Sequence, residues 1–448
     1  MASEDQTPDN LIARDDRVRE YQFEKLRSAG VKRARDVRDR DGEPVSEGAT
    51  TVIPVRVVGT DERAAFVAAD RVIVPTERAE RAAELVRRSV DLGQVDRGEL
   101  VVKPVRGTRY SEVRAPGVAL PATLNDELLG SAYEARSNHL VFAAYKIKVK
   151  EGEDPEDGTV PITRTEDEDL GEHARVAILD TGYAWQARND PWLWDIAPSV
   201  ASRDIDLLRI SGNLADPLDF GAGHGTFVAG IVRQLAPKAQ IDIIRVLDSN
   251  GVGLESEIAK GFDRACELGA DIIVCAFGGY STDDVAPAAI ETAVADVPKS
   301  TVVIAAAGNE RQDQRPIWPA SCRGVEAIAA VDSAGDGSMV IVQGEARLTW
   351  YTNFGPDVVY AAAGTWQSSF VTGDESPDRD PDGSPETFVD AATAGGTSFS
   401  AAAVAGAIAA AMGEGDSGVD AWDRVREHTY AVDCSELRAI DVWNRPER

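Results

Sequence analysis

The chain is short of basic residues. Its 448 residues carry 47 Lys and Arg against 76 Asp and Glu, a formal net charge of -29. That argues against a nucleic-acid partner, because phosphates demand a basic surface. An anionic membrane would be repelled for the same reason. Cysteine is also scarce: Cys266, Cys275, Cys322 and Cys434 are the only four, with no C-x-x-C spacing. Such usage speaks against a metal cluster or a disulfide framework and for buried free thiols. No stretch approaches the ~18 apolar residues of a transmembrane helix. The longest, around 400–412, is mostly alanine and glycine. The start, Met-Ala-Ser-Glu-Asp-Gln, lacks the basic residues and apolar run of a secretory signal. A soluble, cytoplasmic protein without membrane association is the expectation.

What is present points to two domains, since one core rarely serves so long a chain. Residues 1–50 read as a polar leader of mixed charge. In 51–150, runs rich in valine and isoleucine at 51–58, 71–75, 99–105 and 139–149 read as strands. A charged amphipathic helix at 76–92 lies among them, giving a small α+β domain. Residues 151–172 hold ten acidic side chains against the single base Arg164, with Pro155, Gly158 and Pro161 among them. This composition predicts an exposed linker. From 173 to 448 apolar strands (176–179, 241–247, 271–277, 301–307) alternate with helices (224–234, 255–268, 287–297). The predicted fold is α/β, a mostly parallel sheet covered by helices on both faces. In such sheets the site lies beyond the carboxyl ends of the strands.

Four residues stand out there. Asp180 ends an apolar run before Thr181-Gly182, either as a turn residue or as a half-buried acceptor for a base. His224 is one of four histidines and the one set among glycines, Gly221-Ala222-Gly223-His224-Gly225, where a neighbour can come close. Ser398 follows Gly395-Gly396-Thr397 at the head of an apolar helix, near backbone N–H groups that favour negative charge. A plain N-cap is the alternative. Asn309, just past Ala306-Ala307-Gly308, is a turn residue or an amide donor to a reaction oxyanion. The order Asp…His…Ser is that of subtilisin, not of chymotrypsin or the α/β-hydrolases.

Taken together, D-T-G at 180–182, G-H-G-T-x-V-A-G at 223–230, A-A-G-N at 306–309 and G-T-S at 396–398 resemble the subtilase family. The resemblance covers roughly 172–448. It includes Cys275-Ala276-Phe277-Gly278-Gly279, similar to the family's substrate-binding strand, and Thr352-Asn353-Phe354-Gly355-Pro356, similar to the strand before its serine loop. The resemblance implies a serine endopeptidase acting on protein or peptide substrates. Ser398 is then the nucleophile, His224 the general base and acid, and Asp180 its orienting partner, with Asn309 and the Ser398 N–H forming the oxyanion hole. Ala276, Phe277 and Gly278 would pair with the substrate backbone. Ala306, Ala307 and Gly308 would wall the primary specificity pocket, and a large apolar residue before the cut is expected. After the serine the family usually shows M-A-S-P-H, whereas this chain has Phe399-Ser400-Ala401-Ala402-Ala403. A peptide-binding pseudoprotease is therefore the rival.

No cofactor is required by this reading, and no metal ligand is assigned. Many subtilases use structural calcium. The acidic stretch Asp374, Glu375, Asp378, Asp380, Asp382, Glu386 and Asp390 is expected to be an exposed loop without a ligand-spaced pattern. Gly415-Asp416-Ser417-Gly418 reads as a turn, despite its likeness to a chymotrypsin serine loop. Subtilases often carry an inhibitory propeptide, so the 51–150 domain is expected to inhibit the protease intramolecularly or to be a permanent accessory.

Overall fold

The computed structural model describes residues 31–34, 50–58, 65–89, 100–115, 134–143, 167–184, 191–193, 195–196, 202–213, 215–311, 314–333, 346–376, 386–433 and 435–443. Most of the leader, residues 144–166 with the end of the expected 139–149 strand, Cys434, and the middle of the acidic stretch lie outside them.

Strands β1 (Val31–Ala34) and β2 (Thr50–Ile53) pair antiparallel, so part of the expected leader is strand. Strands β3 (Val55–Val58), β4 (Ala65–Pro75), β5 (Val101–Pro104), β6 (Tyr110–Arg114) and β7 (Arg136–Ala143) form an antiparallel sheet. Its face is covered by α1 (Ala79–Ser89) through Ala79, Ala82, Ala83 and Val86 on Val72, Val74 and Val113. Strand β6 was not foreseen, because five residues carrying Glu112 and Arg114 show no apolar run.

The larger unit runs through β8 (Arg175–Asp180), α2 (His224–Leu235), β9 (Gln240–Arg245), β10 (Val252–Leu254), α3 (Glu255–Leu268), β11 (Ile272–Cys275), β12 (Phe277–Gly278), α4 (Ala288–Ala295), β13 (Val302–Ala306) and β14 (Val325–Ser333). It continues with β15 (Ala346–Leu348), β16 (Val358–Ala363), β17 (Thr365–Ser369), β18 (Gly373–Asp374), β19 (Thr387–Phe388), β20 (Ala391–Gly395), α5 (Thr397–Ala411), α6 (Gly418–Val425), β21 (Thr429–Ala431) and β22 (Arg438–Ile440). The main sheet has the order β21-β22-β16-β14-β13-β11-β8-β9. It is parallel from β22 to β9, with β21 and β15 antiparallel. Successive residues of β8 divide between two cores. Val176 and Ile178 face the side of α2 and α5, and Ala177 and Leu179 the side of α3 and α4. Burial on both faces explains why the strand reads as an unbroken apolar run. Helix α5 is buried along its whole length, as an all-round apolar helix must be.

Four expectations are corrected in detail. The acidic linker ends early, because Leu170 is 2% exposed and packs into the α2–α5 core. Residues 352–356 form a loop, and the strand follows as β16. The described acidic residues are not all exposed. Asp374 belongs to the β18–β19 hairpin and Glu375 is buried, its N–H donating to the Glu386 carbonyl. Ser417 caps α6 through a reciprocal capping box with Asp420 rather than merely turning the chain.

The two units share one strand. Strand β7 begins in the smaller sheet on β4, and its last four residues run between β10 and β12 of the larger unit.

Candidate active site

Three neighbouring strands of the main sheet, β8, β11 and β13, run parallel and end on the same side. Asp180 ends the first, Ala276 follows the second and Asn309 lies just past the third, while His224 and Ser398 arrive on the starts of α2 and α5. Asp180 is the last residue of β8 and wholly buried. Its Oδ1 accepts from the Thr181 N–H at 2.7 Å and lies 2.7 Å from His224 Nδ1. His224 opens α2 and is 3% exposed. Its neighbour Gly225 must be glycine: a Cβ there would sit 2.6 Å from the Gly182 carbonyl oxygen and 3.1 Å from Asp180 Cβ. The glycines read from the sequence are thus what lets the helix start meet the strand end.

Beneath this pair lies a residue that the sequence reading missed. Asp206 Oδ2 accepts from the Thr181 hydroxyl at 2.9 Å and from the Gly223 N–H at 2.8 Å, while its Oδ1 accepts from the Leu208 N–H at 3.0 Å. The Thr181 hydroxyl oxygen in turn accepts from the Gly225 N–H at 3.1 Å. One carboxylate therefore ties the residue after Asp180 to the residue before His224. Burial pushes its pKa up to about 6, against the lowering effect of those same donors. Nothing local marks Asp206 among the other acids between 204 and 219, and Asp204 is as deeply buried; its bonds to Thr181 and Gly223 set it apart.

Ser398 is the second residue of α5 and shows no exposure. Its hydroxyl donates to the Ala276 carbonyl at 2.8 Å, which sets the nucleophile candidate beside the expected substrate strand. Phe399 links it to the histidine: its ring centroid lies 5.6 Å from that of His224 and 4.5 Å from that of Phe227. Phenylalanine after the serine is thus accommodated by an aromatic partner on α2. Ser400 donates to the carbonyls of Ala362 and Ala363. Ala401, Ala402 and Ala403 vanish into the core, leaving the helix start intact without the usual proline and histidine.

Asn309 is held by Thr397, the middle residue of the G-T-S motif, whose role the motif alone does not show. The Thr397 N–H and hydroxyl both donate to Asn309 Oδ1, at 3.0 and 2.9 Å. The Gly308 N–H donates to the Thr397 hydroxyl oxygen at 3.1 Å. With its oxygen clamped by two donors, the side-chain amide has a fixed orientation at the head of α5. Gly308 has φ of +98°, and a Cβ there would lie 2.3 Å from Asn353 Nδ2, so only glycine fits. Ala306 ends β13, and Ala307 donates its N–H to the Ile328 carbonyl; both are fully buried.

The expected substrate strand already has a partner. Phe277 lies opposite Ala143 and Gly278 opposite Phe142, while Val252, Gly253 and Leu254 face Phe142, Val141 and Leu140 from the other side. The Ala143 N–H donates to the Gly251 carbonyl at 2.7 Å. Residues 140–143 thus form the middle strand of a three-stranded antiparallel arrangement, and they end next to Ala276 and Ser398. Leu140 and Val141 are each 1% exposed. Buried thiols line the reverse side of β11. Burial raises Cys275 well above the ordinary thiol range and pushes Cys322 up to about 12. No cluster of three or more His, Cys, Asp or Glu side chains that could hold a metal occurs among the described residues.

Comparison with known proteins bears on the same region. The model of the subtilase family matches residues 171–431. Thermitase from Thermoactinomyces vulgaris is 30% identical over 206 residues, 44% of this chain and 64% of that protein. Subtilisin DY from Bacillus licheniformis is 38% identical over 179 residues, 36% of this chain and 58% of that one. The chain therefore spans less than two thirds of either relative. In fold, fervidolysin from Fervidobacterium pennivorans, a keratinolytic enzyme related to subtilisin, superimposes with a TM-score of 0.56 at 16% identity. That match covers 84% of this chain and 60% of fervidolysin.

Proposed function

The chain belongs to the subtilase family, and from that premise we propose that it is a serine endopeptidase whose nonprimed cleft is held closed by its own N-terminal domain. The observation that carries the catalytic half is the Asp180–His224 pair at 2.7 Å, beside a serine at the start of α5. In this mechanism Ser398 turns from the Ala276 carbonyl to His224, which takes its proton as the oxygen attacks the scissile carbonyl. Asp180 holds the imidazole tautomer and stabilises the imidazolium. The clamped Asn309 amide and the N-terminus of α5 stabilise the oxyanion. His224 then protonates the leaving amine, and water repeats the sequence on the acyl-enzyme. Ala276, Phe277 and Gly278 bind the substrate backbone as an added strand. Ala306, Ala307 and Gly308 wall the pocket for a large apolar residue before the cut.

Residues 140–143 support the regulatory half, because they occupy the place where an extended substrate would pair with β10 and β12. A fluorophosphonate tests the catalytic half. Labelling of the full-length protein that disappears in Ser398→Ala is expected, and no labelling of the folded protein refutes it. For the regulatory half, Val141→Asp puts a charge into the apolar core between the domains and should raise hydrolysis of a small peptide. Unchanged hydrolysis counts against closure by this strand.

A further inference from the structure

The cleft holds one buried carboxylate that the catalytic reading does not use. Glu255, the first residue of α3, is fully buried. Its two oxygens have different loyalties. Oε1 accepts from the Ala289 N–H at 3.1 Å, within the larger unit. Oε2 serves the incoming strand alone: it accepts from the His139 N–H at 3.1 Å and lies 2.9 Å from His139 Nδ1. His139 is 6% exposed and immediately precedes the four residues laid between β10 and β12. Its Nε2 is buried with no hydrogen-bond partner among the described residues, so Nδ1 is the ring atom through which the side chain is recognised. A neutral ring would then carry its proton on Nδ1 and donate it to Glu255.

We infer that Glu255 is a specificity-determining residue of the peptidase, reading a hydrogen-donating side chain, imidazole foremost, on the substrate residue that takes the place of His139. The inference rests on the reading of residues 140–143 as a substrate-like strand. Every extended peptide supplies the backbone N–H at this point, so that bond cannot discriminate between sequences. The side-chain bond can. A residue without a donor there covers the carboxylate while leaving Oε2 short of one bond, and a buried charged acceptor pays heavily for that loss. Asn138, on the incoming strand, and Ser256, on α3, do not compete for Glu255 Oε2. Asn138 Nδ2 donates to Glu112 Oε2 and to the Ser256 hydroxyl oxygen, and the Ser256 hydroxyl donates to Glu112 Oε2.

The test uses full-length protein and three quenched fluorogenic peptides with the sequence of residues 134–148. One has histidine at position 139, one alanine, and one Nδ1-methylhistidine. Ratios of kcat/KM within one preparation cancel the fraction of molecules whose cleft is closed. The histidine peptide should be preferred about tenfold over the other two, the size expected for one hydrogen bond to a charged group. Glu255→Leu, which has no acceptor, should reduce that preference to within about twofold. The methylated peptide removes the donor without touching the protein, so the conclusion does not depend on the variant folding. Equal cleavage of all three peptides, or a tenfold preference retained in Glu255→Leu, overturns the inference alone. Failure to cleave any peptide, together with no fluorophosphonate labelling of Ser398, overturns the protease reading beneath it.

Discussion

Replacing Asp206 by Asn should change how stability depends on pH, with a sign set by burial. The Asp206 carboxyl titrates at about 6 in the folded protein against an ordinary value of 3.8. Between those values the folded state holds a proton that the unfolded state has released. Stability from this group is therefore fully present below about pH 4 and is lost as pH rises through 6. Two units of difference correspond to about 3 kcal/mol. Asparagine has the same shape and no charge, so it does not share this loss. It also has one acceptor oxygen where Asp206 uses two, for Thr181 and Gly223 on one side and Leu208 on the other. That defect is independent of pH and cancels when two pH values are compared. Urea unfolding of Asp206→Asn and its parent, both carrying Ser398→Ala to prevent self-digestion, measures the difference. From pH 4 to pH 8 the parent should lose about 2.4 kcal/mol relative to the variant, the rest of the effect falling below pH 4. A difference that varies by less than about 1 kcal/mol would refute the reasoning, since the carboxylate would then carry no desolvation cost. In protein retaining Ser398, the variant should also be labelled by fluorophosphonate roughly tenfold or more slowly, because the loops bearing Asp180 and His224 lose a shared anchor.

Three further outcomes follow from the same geometry. Asn309→Ala should lower kcat about 10²- to 10³-fold with KM little changed; a rise in KM at constant kcat would contradict a role confined to the transition state. Gly225→Ala forces a methyl against the Gly182 carbonyl and Asp180 Cβ, costing about 1–3 kcal/mol. Thermal unfolding and labelling should both suffer, and parental values in both would count against the close approach. Cys275 and Cys322 should resist iodoacetamide at pH 8 in the native protein and react in urea, because burial raises both thiols. Rapid native alkylation of either would show that the reverse side of β11 is open.

The sequence carried the chemistry further than the architecture around it. Asp180, His224, Ser398 and Asn309 were readable because each stands beside glycines or at the end of an apolar run, and these are local signals. The bounds of α3 were readable for a similar reason: Gly269 stops the helix with φ of +72°. The roles of Asp206, Thr397 and Glu255 were not. Each is an ordinary polar residue whose meaning comes from partners 17 to 116 positions away. The departure after the serine also looked graver in sequence than in space, because Phe227, 172 positions before Phe399, receives its ring.

What the sequence determined by itself is the alternation of buried strands and helices, the order of the candidate triad and the glycines that permit its close approach. Periodicity and turn chemistry are written in neighbouring residues, so these needed no three-dimensional context. Only the tertiary structure decided that Leu170 belongs to the core, that Glu255 faces His139 and that the end of β7 lies between β10 and β12. A strand's own pattern shows that it will be buried, but its pairing edge is chosen by whichever backbone the rest of the chain brings alongside. For residues 140–143 that edge belongs to β10 and β12 of the larger unit.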